Sequence, residues 1–518
     1  MDNQTIFQLF HWYISSDGKF WKHCGEQAEN LSKLGVTHAW LPPAYKSWRG
    51  IHEPGYAVYD LFDLGEFDQK GTTRTKYGTK REYLSAIRKL QSRYINVIGD
   101  IVLNHKNGGD ELEKIPVLQV SEENRNEVIG ERHEIEAYTK FNFPGRRGKY
   151  SKFIWDWKCF TGVSGDNGEI YTIQNEYGEK WEDLIDDEKG NFDYLMGDDI
   201  EFRNPFVREE LKYWGKWYME TTGIDGLRLD AVKHISHHFY NEWLDYLNNE
   251  YQKKIFCVAE YWSDDVNKLE KYIDATGDKA MLFDVPLHLN FYHASRSGNN
   301  YDMRNIFENT LTKTRSMSSI TFVDNHDTQP LQSLESTVDY WFKPLANALI
   351  LLREQGIPCI FYPSIYGTKY SEVVDDKEVH IELKPVPGLQ EMMVARKLVS
   401  YGGQRDYFDH HTTIGWVREG TDDRQYSGVV VLMTNGGEGF KTMEAGKRHS
   451  GKIFVDALGN RREKVRINED GFGEFYANDG SVSVWVRQEI VSAIREKRVY
   501  NKQQKVPQFS ENPHISAI

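Results

Sequence analysis

The chain of 518 residues carries a net charge of −14, and 14% of its residues are aromatic, including 14 Trp and 30 Tyr. That length exceeds what one compact core organises, so two or three domains are expected. Phosphate backbones and anionic lipids repel an acidic protein, which argues against nucleic acid and membrane as partners, and no apolar run reaches the length of a membrane span.

In chain order, Met1-Asp2-Asn3-Gln4 leads into a strand-like run from Thr5 to Phe10 with no basic segment or apolar signal core before it. This predicts a cytoplasmic protein, the alternative being a secreted one whose signal peptide has been removed. Cys24, Cys159, Cys257 and Cys359 are far apart, two of them inside apolar runs, and read as buried free thiols. Further strand-like runs span Val36 to Leu41, Ile95 to Val102, Gly226 to Asp230, Ile255 to Glu260, Met281 to Val285, Ile320 to Val323 and Pro358 to Tyr362. Helical stretches separate most of these eight runs. One, from Thr79 to Tyr94, opens with Thr79 and Glu82 at capping-box spacing, and another starts at Asn204-Pro205, a cap residue before a proline. The alternation predicts a (β/α)8 TIM barrel of the α/β class.

Between the third strand and the helix at Asn204 lie about a hundred residues, far more than an ordinary loop, so they form an inserted domain. After Lys397 the pattern changes to alternating strands with Gly-rich turns, as in Gly428 to Leu432 and Ser481 to Trp485, which reads as a C-terminal antiparallel β-sandwich. The expected division is barrel 1–104, insertion 105–204, barrel 205–396, sandwich 397–487 and a tail 488–518. In the tail, Ile490, Val491, Ile494, Arg495 and Arg498 fit a short amphipathic helix, followed by Lys502 and Lys505. Packing on its own domain is the default for such a tail and docking on another subunit the sharper idea; a monomer is the default for the whole chain.

Three runs carry chemistry: Gly226 to His234 with Asp230, Val258 to Trp262 with Glu260, and Phe322 to Asp327. Each reads as the tip of a buried parallel strand delivering a carboxylate to a barrel mouth. Cleaving a glycosidic bond with retention needs one carboxylate as nucleophile and one carboxylic acid as proton donor, roughly 5 Å apart, and a third acid can steady the positive sugar ring between them. Alternation along the fourth strand puts Arg228 and Asp230 on one face, so a guanidinium favours the ionised nucleophile. Glu260, between Phe256 to Ala259 and Tyr261-Trp262, has an apolar sequence setting that favours the protonated acid.

These runs, with Asp100 to His105 upstream, resemble the four sequence regions of the α-amylase family of glycoside hydrolases. Pro42 to Lys46, Gly55 to Leu61, Lys76 to Lys80 and Tyr407 to His411 resemble its bacterial liquefying branch, and the likeness covers roughly residues 4 to 487. It implies retaining endo-hydrolysis of α-1,4-glucosidic bonds in starch, glycogen or maltooligosaccharides through a covalent glycosyl-enzyme intermediate. Asp230 resembles the nucleophile, Glu260 the general acid and base, Asp327 the transition-state acid and Arg228 the residue that orients the nucleophile. His105 and His326 resemble imidazoles that bond sugar hydroxyls in the cleaved subsite, Tyr56 the ring beneath that sugar, Lys233 and His234 the leaving-group pair, and Trp262 a nearby platform. The resemblance also implies a structural calcium held by Asn104, Asp193, Asp199 and the carbonyl of His234, tying the insertion to the barrel. Secreted members often hold a second calcium and a sodium; here Thr161, Glu182, Glu201 and Arg203 stand at those places, and the guanidinium disfavours further cations. A separate calcium position beside the C-terminal domain is weakened by Arg405 and Asn435. The rival readings are a glucan-remodelling transferase on the same site and a catalytically silent glucan-binding protein, against which stands the complete set of three acids.

Overall fold

The structure is a computed structural model that describes residues 3–165 and 167–496. Eight strands form a closed barrel: β1 (Ile6–Gln8), β2 (His38–Trp40), β3 (Asn96–Ile101), β4 (Gly226–Leu229), β5 (Phe256–Ala259), β6 (Met281–Phe283), β7 (Ser319–Phe322) and β8 (Ile357–Phe361). They neighbour one another in chain order, with β8 returning to β1. β1 to β6 lie inside their predicted runs and are shorter, while β7 and β8 keep the predicted length but begin and end one residue earlier. The ladder ends before the acids: Asp230 follows β4, Glu260 follows β5, and Asp327 lies in the turn beyond β7. The first two still donate one backbone hydrogen bond each, Asp230 N to Ile101 O and Glu260 N to Leu229 O, both at 2.9 Å. Their side chains are thereby fixed at the strand ends while the chain turns away.

The chain divides into two compact units, one of which comprises Ile14–Gln27 and Trp40–Phe283. In this unit β4 pairs in parallel with β3 and β5, setting Arg228 opposite Asp100 on one side and Val258 on the other. The helix Lys80–Gln91 follows Thr79, whose capping box with Glu82 is complete, and Asn204 caps Pro205–Thr222. Both helix starts therefore sit where the sequence signals put them. The insertion folds as a six-stranded antiparallel sheet in the order His105–Lys106, Asp198–Ile200, Phe160–Ser164, Ile170–Ile173, Glu111–Val120, His133–Lys140. A small core of Val120, Ile170, Trp181 and Tyr194 backs it.

The other unit holds β1, β7 and β8 and the described residues after β8. A two-stranded hairpin that the sequence reading did not anticipate, Thr368–Val374 with Lys377–Leu383, follows β8. The C-terminal domain is a six-stranded antiparallel sheet (Gln404–Tyr407, Thr413–Arg418, Val429–Thr434, Val482–Arg487, Ile453–Asp456, Val465–Arg466) with a two-stranded one (Gly439–Glu444, Phe472–Ala477). Val430, Leu432, Met443, Phe454, Phe475 and Trp485 fill its core. The start of the tail is a helix, Val491–Glu496, with Ile494 buried and Arg495 donating to the carbonyls of Asp456 and Ala457 at 2.8 and 3.1 Å. This part packs on its own domain; Arg498, Lys502 and Lys505 lie outside the described residues. No helix among the described residues is long and apolar enough to cross a membrane.

Candidate active site

Arg228 organises the acids of the first unit. Its Nη1 donates to Asp100 Oδ1 at 2.9 Å and to Asp230 Oδ1 at 2.6 Å, and its Nη2 donates to Glu260 Oε2. All four side chains are buried. The sequence reading made Arg228 the companion of Asp230 and gave Glu260 an apolar setting; the structure instead places three carboxylates on one guanidinium. Burial opposes the charge of Arg228, and Asp100, Glu260 and Asp230 outweigh it and keep it protonated. Burial pushes the Asp230 carboxyl up to about 8, Arg228 pulling it down while Glu260 and Asp100 push it up. With one positive charge for three buried acids, the cluster retains a proton near neutral pH.

Asp100 is the functional residue the sequence reading passed over. It is fully buried, and its Oδ2 accepts from Tyr56 Oη at 2.8 Å and Trp40 Nε1 at 2.9 Å. The signal for it was alternation: a carboxylate inside an apolar strand needs a buried partner. Beyond Asp230, Ala231 takes φ 49°, and its N–H reaches Glu260 Oε2 at 3.4 Å while Val232 N donates to Glu260 O at 3.0 Å. The strained residue thus fastens the end of β4 to that of β5.

Tyr56 lies on a loop held from several sides. Glu53, half-buried, accepts the N–H groups of Gly55, Tyr56 and Ala57 at 2.8, 3.1 and 3.1 Å. His105 Nε2 donates to Tyr56 O at 2.9 Å. Burial brings the His105 imidazole down to about 4, so it is neutral and its Nδ1 faces Asn104 Nδ2 at 3.4 Å. Both ring nitrogens of His105 thus have protein partners, and its N–H supports the Tyr56 loop.

Lys233 and His234 are buried on a turn, Val232–His234, and both reach the insertion. Lys233 Nζ donates to Glu188, and to Trp262 O at 3.3 Å; His234 Nδ1 donates to Phe192 O at 2.6 Å. The same segment is strapped by Asp186, which accepts from Tyr261 Oη at 2.7 Å and Lys268 Nζ at 2.9 Å. Asp186 and Glu188 carried no motif, and nothing in the sequence marked them. Trp262 is half-buried beside this strap.

In the second unit His326 and Asp327 follow β7. Gln8 Nε2 lies 3.0 Å from His326 Nδ1, and His326 Nε2 lies 3.5 Å from Asp327 Oδ2. With Gln8 donating, the imidazole proton sits on Nε2, toward the carboxylate. Asn325 Oδ1 accepts the N–H of Asp327 and of Thr328, both at 2.9 Å, which fixes the turn.

The residues expected to hold calcium lie where the insertion meets the ends of β3 and β4. Asn104 Oδ1 is buried without a hydrogen-bond partner, and Asn104 Nδ2 donates to Asp199 Oδ1 at 3.2 Å. Burial pushes Asp193 up to about 7 and both Asp199 and Glu182 well above the carboxylate range; Asp193 raises the other two further, and Glu182 raises Asp199. His234 joins this group through Phe192, the neighbour of Asp193. Among the described residues no three His, Cys, Asp or Glu side chains close around one point. The donor set is instead two carboxylates with an amide oxygen, all hard oxygen ligands, and it fits such a cation. Arg203 donates to both oxygens of Glu201 at 2.6 Å, and Thr161 Oγ1 to Asp199. Asn435 Nδ2 donates to the carbonyls of Gly298 and Tyr301 at 2.8 and 2.9 Å, and Arg405 pairs with Glu419 at 2.8 Å.

The family model for the α-amylase catalytic domain matches residues 21–383, and that for the α-amylase C-terminal domain matches residues 429–486. The chain is 48% identical to a cytoplasmic alpha-amylase of Escherichia coli (strain K12) over 95% of its own length and 100% of the relative's. It is 47% identical to an alpha-amylase of Geobacillus stearothermophilus over 95% of its own length and 88% of the relative's. Among solved structures, an alpha-amylase of Geobacillus thermoleovorans complexed with acarbose shares the fold, with a TM-score of 0.60 and 18% identity over 94% of this chain and 98% of that one. The acids on Arg228, the barrel that presents them and these matches agree, and the chain belongs to the α-amylase family of glycoside hydrolases.

Proposed function

We propose that the chain is a retaining endo-hydrolase of α-1,4-glucosidic bonds in starch, glycogen or maltooligosaccharides, with Asp230 as nucleophile, Glu260 as acid and base and Asp327 as the third acid. The observation that carries the assignment of roles is the Arg228 bridge. Two carboxylates on the two Nη atoms of one guanidinium are kept close enough for the roughly 5 Å separation of a retaining pair. In the first step Asp230 Oδ attacks the anomeric carbon while Glu260 gives its proton to the departing glycosidic oxygen. In the second, Glu260 takes a proton from water, which attacks the same carbon and releases Asp230. The reactive state is the one in which the cluster's proton sits on Glu260 and Arg228 keeps Asp230 ionised. Tyr56 lies beneath the reacting sugar, braced by His105 and Asp100, and His326 and Asp327 take its hydroxyls. Lys233, His234 and Trp262 line the leaving-group side.

Calcium would be held by Asn104, Asp193, Asp199 and the His234 carbonyl, where it supplies positive charge that cross-links the insertion to the strand ends; it takes no part in bond cleavage. Arg203 on Glu201 and Asn435 on two carbonyls support a single such site, because a fixed cation and an amide already serve those oxygens. The sheet boundaries support the division into barrel (1–104 and 205–396), insertion (105–204), sandwich (397–487) and tail (488–518). Four buried cysteines that form no disulfide support a cytoplasmic location.

The test is a time course of products from maltoheptaose with calcium present and an Asp230→Asn control. Shorter oligosaccharides from the wild type alone are expected. Products longer than the substrate would make the chain a transferase, and no turnover in either sample would leave a binding protein.

A further inference from the structure

Two aliphatic residues among the described ones take left-handed backbone, Ala231 at φ 49° and Leu331 at φ 72°, the latter the largest positive φ of any described non-glycine residue. Ala231 follows Asp230 and ties two strand ends together. Leu331 lies four residues beyond Asp327, in the same unit, and a branched side chain makes this conformation more costly there than glycine would.

The turn around Leu331 is fastened on every side. Its N–H donates to Glu335 Oε2 at 2.8 Å, and its carbonyl accepts from Tyr13 Oη at 3.3 Å. The carbonyl of Pro330 accepts from Tyr370 Oη at 2.9 Å, Gln329 Oε1 accepts the Trp12 N–H at 3.1 Å, and Gln332 Nε2 donates to Tyr13 Oη at 2.8 Å. The rings of Tyr13 and Tyr370 stack at 4.0 Å and 12°, and the Trp12 ring lies 6.1 Å and 24° from that of His326. Tyr370 belongs to the hairpin after β8, which is held to the end of β1 by a bond between Thr368 Oγ1 and His11 Nε2 at 3.1 Å. Three segments therefore converge to hold one strained residue in place. Its side chain is not in the core: Leu331, Trp12 and Tyr13 are all half-buried. Leu331 thus lies, through its carbonyl, against the Tyr13–Tyr370 ring pair, and the ring of the neighbouring Trp12 faces His326.

We propose that Leu331 is a specificity-determining residue for the glucan: its side chain is an apolar wall against which the sugar next to the one held by His326 packs. Pyranose rings present C–H faces that pack on aliphatic and aromatic surface, and a half-buried leucine next to the Tyr13–Tyr370 pair offers such a surface. The inference rests on the α-glucan hydrolase reading.

Three variants separate the side chain from the strain. Leu331→Gly removes both, Leu331→Ala keeps the strained backbone and removes the branch, and Leu331→Met restores the bulk. With end-labelled maltoheptaose, the Gly and Ala variants should show the same altered product distribution and a KM raised about five- to tenfold, more than kcat falls. The Met variant should return toward wild type, and thermal unfolding should place Gly above Ala in stability. Unchanged KM and products in both Gly and Ala variants, or a change in Ala that is absent in Gly, would overturn the proposal. Wild-type enzyme that leaves maltoheptaose intact would overturn the underlying hydrolase reading instead.

Discussion

Replacing Asp100 with Asn tests how the buried cluster distributes its charge. Asp100 and Asp230 both accept from Arg228 Nη1, at 2.9 and 2.6 Å, so the two carboxylates face each other across a single nitrogen. Two unit charges roughly 5 Å apart at an effective dielectric near 20 repel by about 3 kcal/mol, equivalent to about two pKa units. Asp230 stands at about 8, with Asp100 among the groups that push it up. Asp100→Asn should therefore lower the acid limb of kcat/KM, set by ionisation of the nucleophile, by about one to two units, the shift being reduced by whatever share of the proton Asp100 itself holds. The variant then keeps a larger fraction of its maximal rate at acid pH.

The same substitution has a cost that the geometry fixes. Asp100 accepts from three donors, Arg228, Tyr56 and Trp40, and donates nothing. An asparagine has one oxygen, so in either orientation its NH2 group meets another donor. Loss of a charge-assisted bond together with an unsatisfied donor should destabilise the fold by about 3 kcal/mol, read by urea unfolding at pH 7. Maximal kcat should fall as well, because the Tyr56 hydroxyl loses part of its anchor. An acid limb that stays in place would show that Asp100 carries the cluster's proton in the free enzyme. One that moves upward would refute the repulsion argument outright.

Chelation should lower the melting temperature, and the sign of its pH dependence follows from Asp193. Its carboxyl is raised from 3.8 to about 7 without metal, so the chelated protein loses stability as the pH rises through that window. Calcium binds the deprotonated form, so the difference in melting temperature with and without it should be larger at pH 8 than at pH 5, and an equal difference at both would count against these ligands. Lys268→Ala should destabilise the strap by about 1 kcal/mol in urea unfolding. Burial opposes the charge of Asp186, but Lys268, the Glu188 N–H and Tyr261 outweigh it and hold its carboxyl below the ordinary 3.8, so the deficit should shrink as the pH falls below that value. Thr79→Ala removes the capping box of Lys80–Gln91 and should cost about 1 kcal/mol of stability with no change in the acid limb.

The barrel was legible because its signals are local. Apolar runs, a capping box at Thr79 and a cap and proline at Asn204 each specify an element from a few neighbouring residues, and the structure contains all of them. β4 and β5 stop one residue short of their predicted ends, at Asp230 and Glu260, and β7 and β8 slip by one residue, both matters of where the chain turns. The hairpin after β8 also had a local signal: Asp375 and Asp376 take φ 49° and 61° between β-rich runs, the geometry of a tight hairpin turn. The strap of Asp186 and Glu188 had none, because the irregular backbone of the insertion is set by the side chains it meets, Tyr261, Lys233 and Lys268, which lie some 45 to 82 residues away along the chain.

Charge is where the sequence said least. It displayed every carboxylate and every cation near the site, and alternation put Arg228 and Asp230 on one face. Only the register of β3 against β4 brings Asp100 to the same guanidinium, and only the reach of Nη2 adds Glu260. The count of acids per cation then decides the chemistry. Around Arg228 three acids share one positive charge, which favours a retained proton, and the proposed mechanism places that proton on Glu260. Around Asp193, Asp199 and Glu182 the nearest fixed cation, Arg203, is committed to both oxygens of Glu201. Burial drives these carboxyls upward as well, yet an unpartnered amide oxygen of Asn104 stands beside them. A proton answers the excess charge, whereas a hard cation would answer it and take that oxygen as a ligand as well. On the proposed roles the two clusters resolve one imbalance in different ways, a mobile proton where bonds are to be broken and a bound cation where the insertion is held.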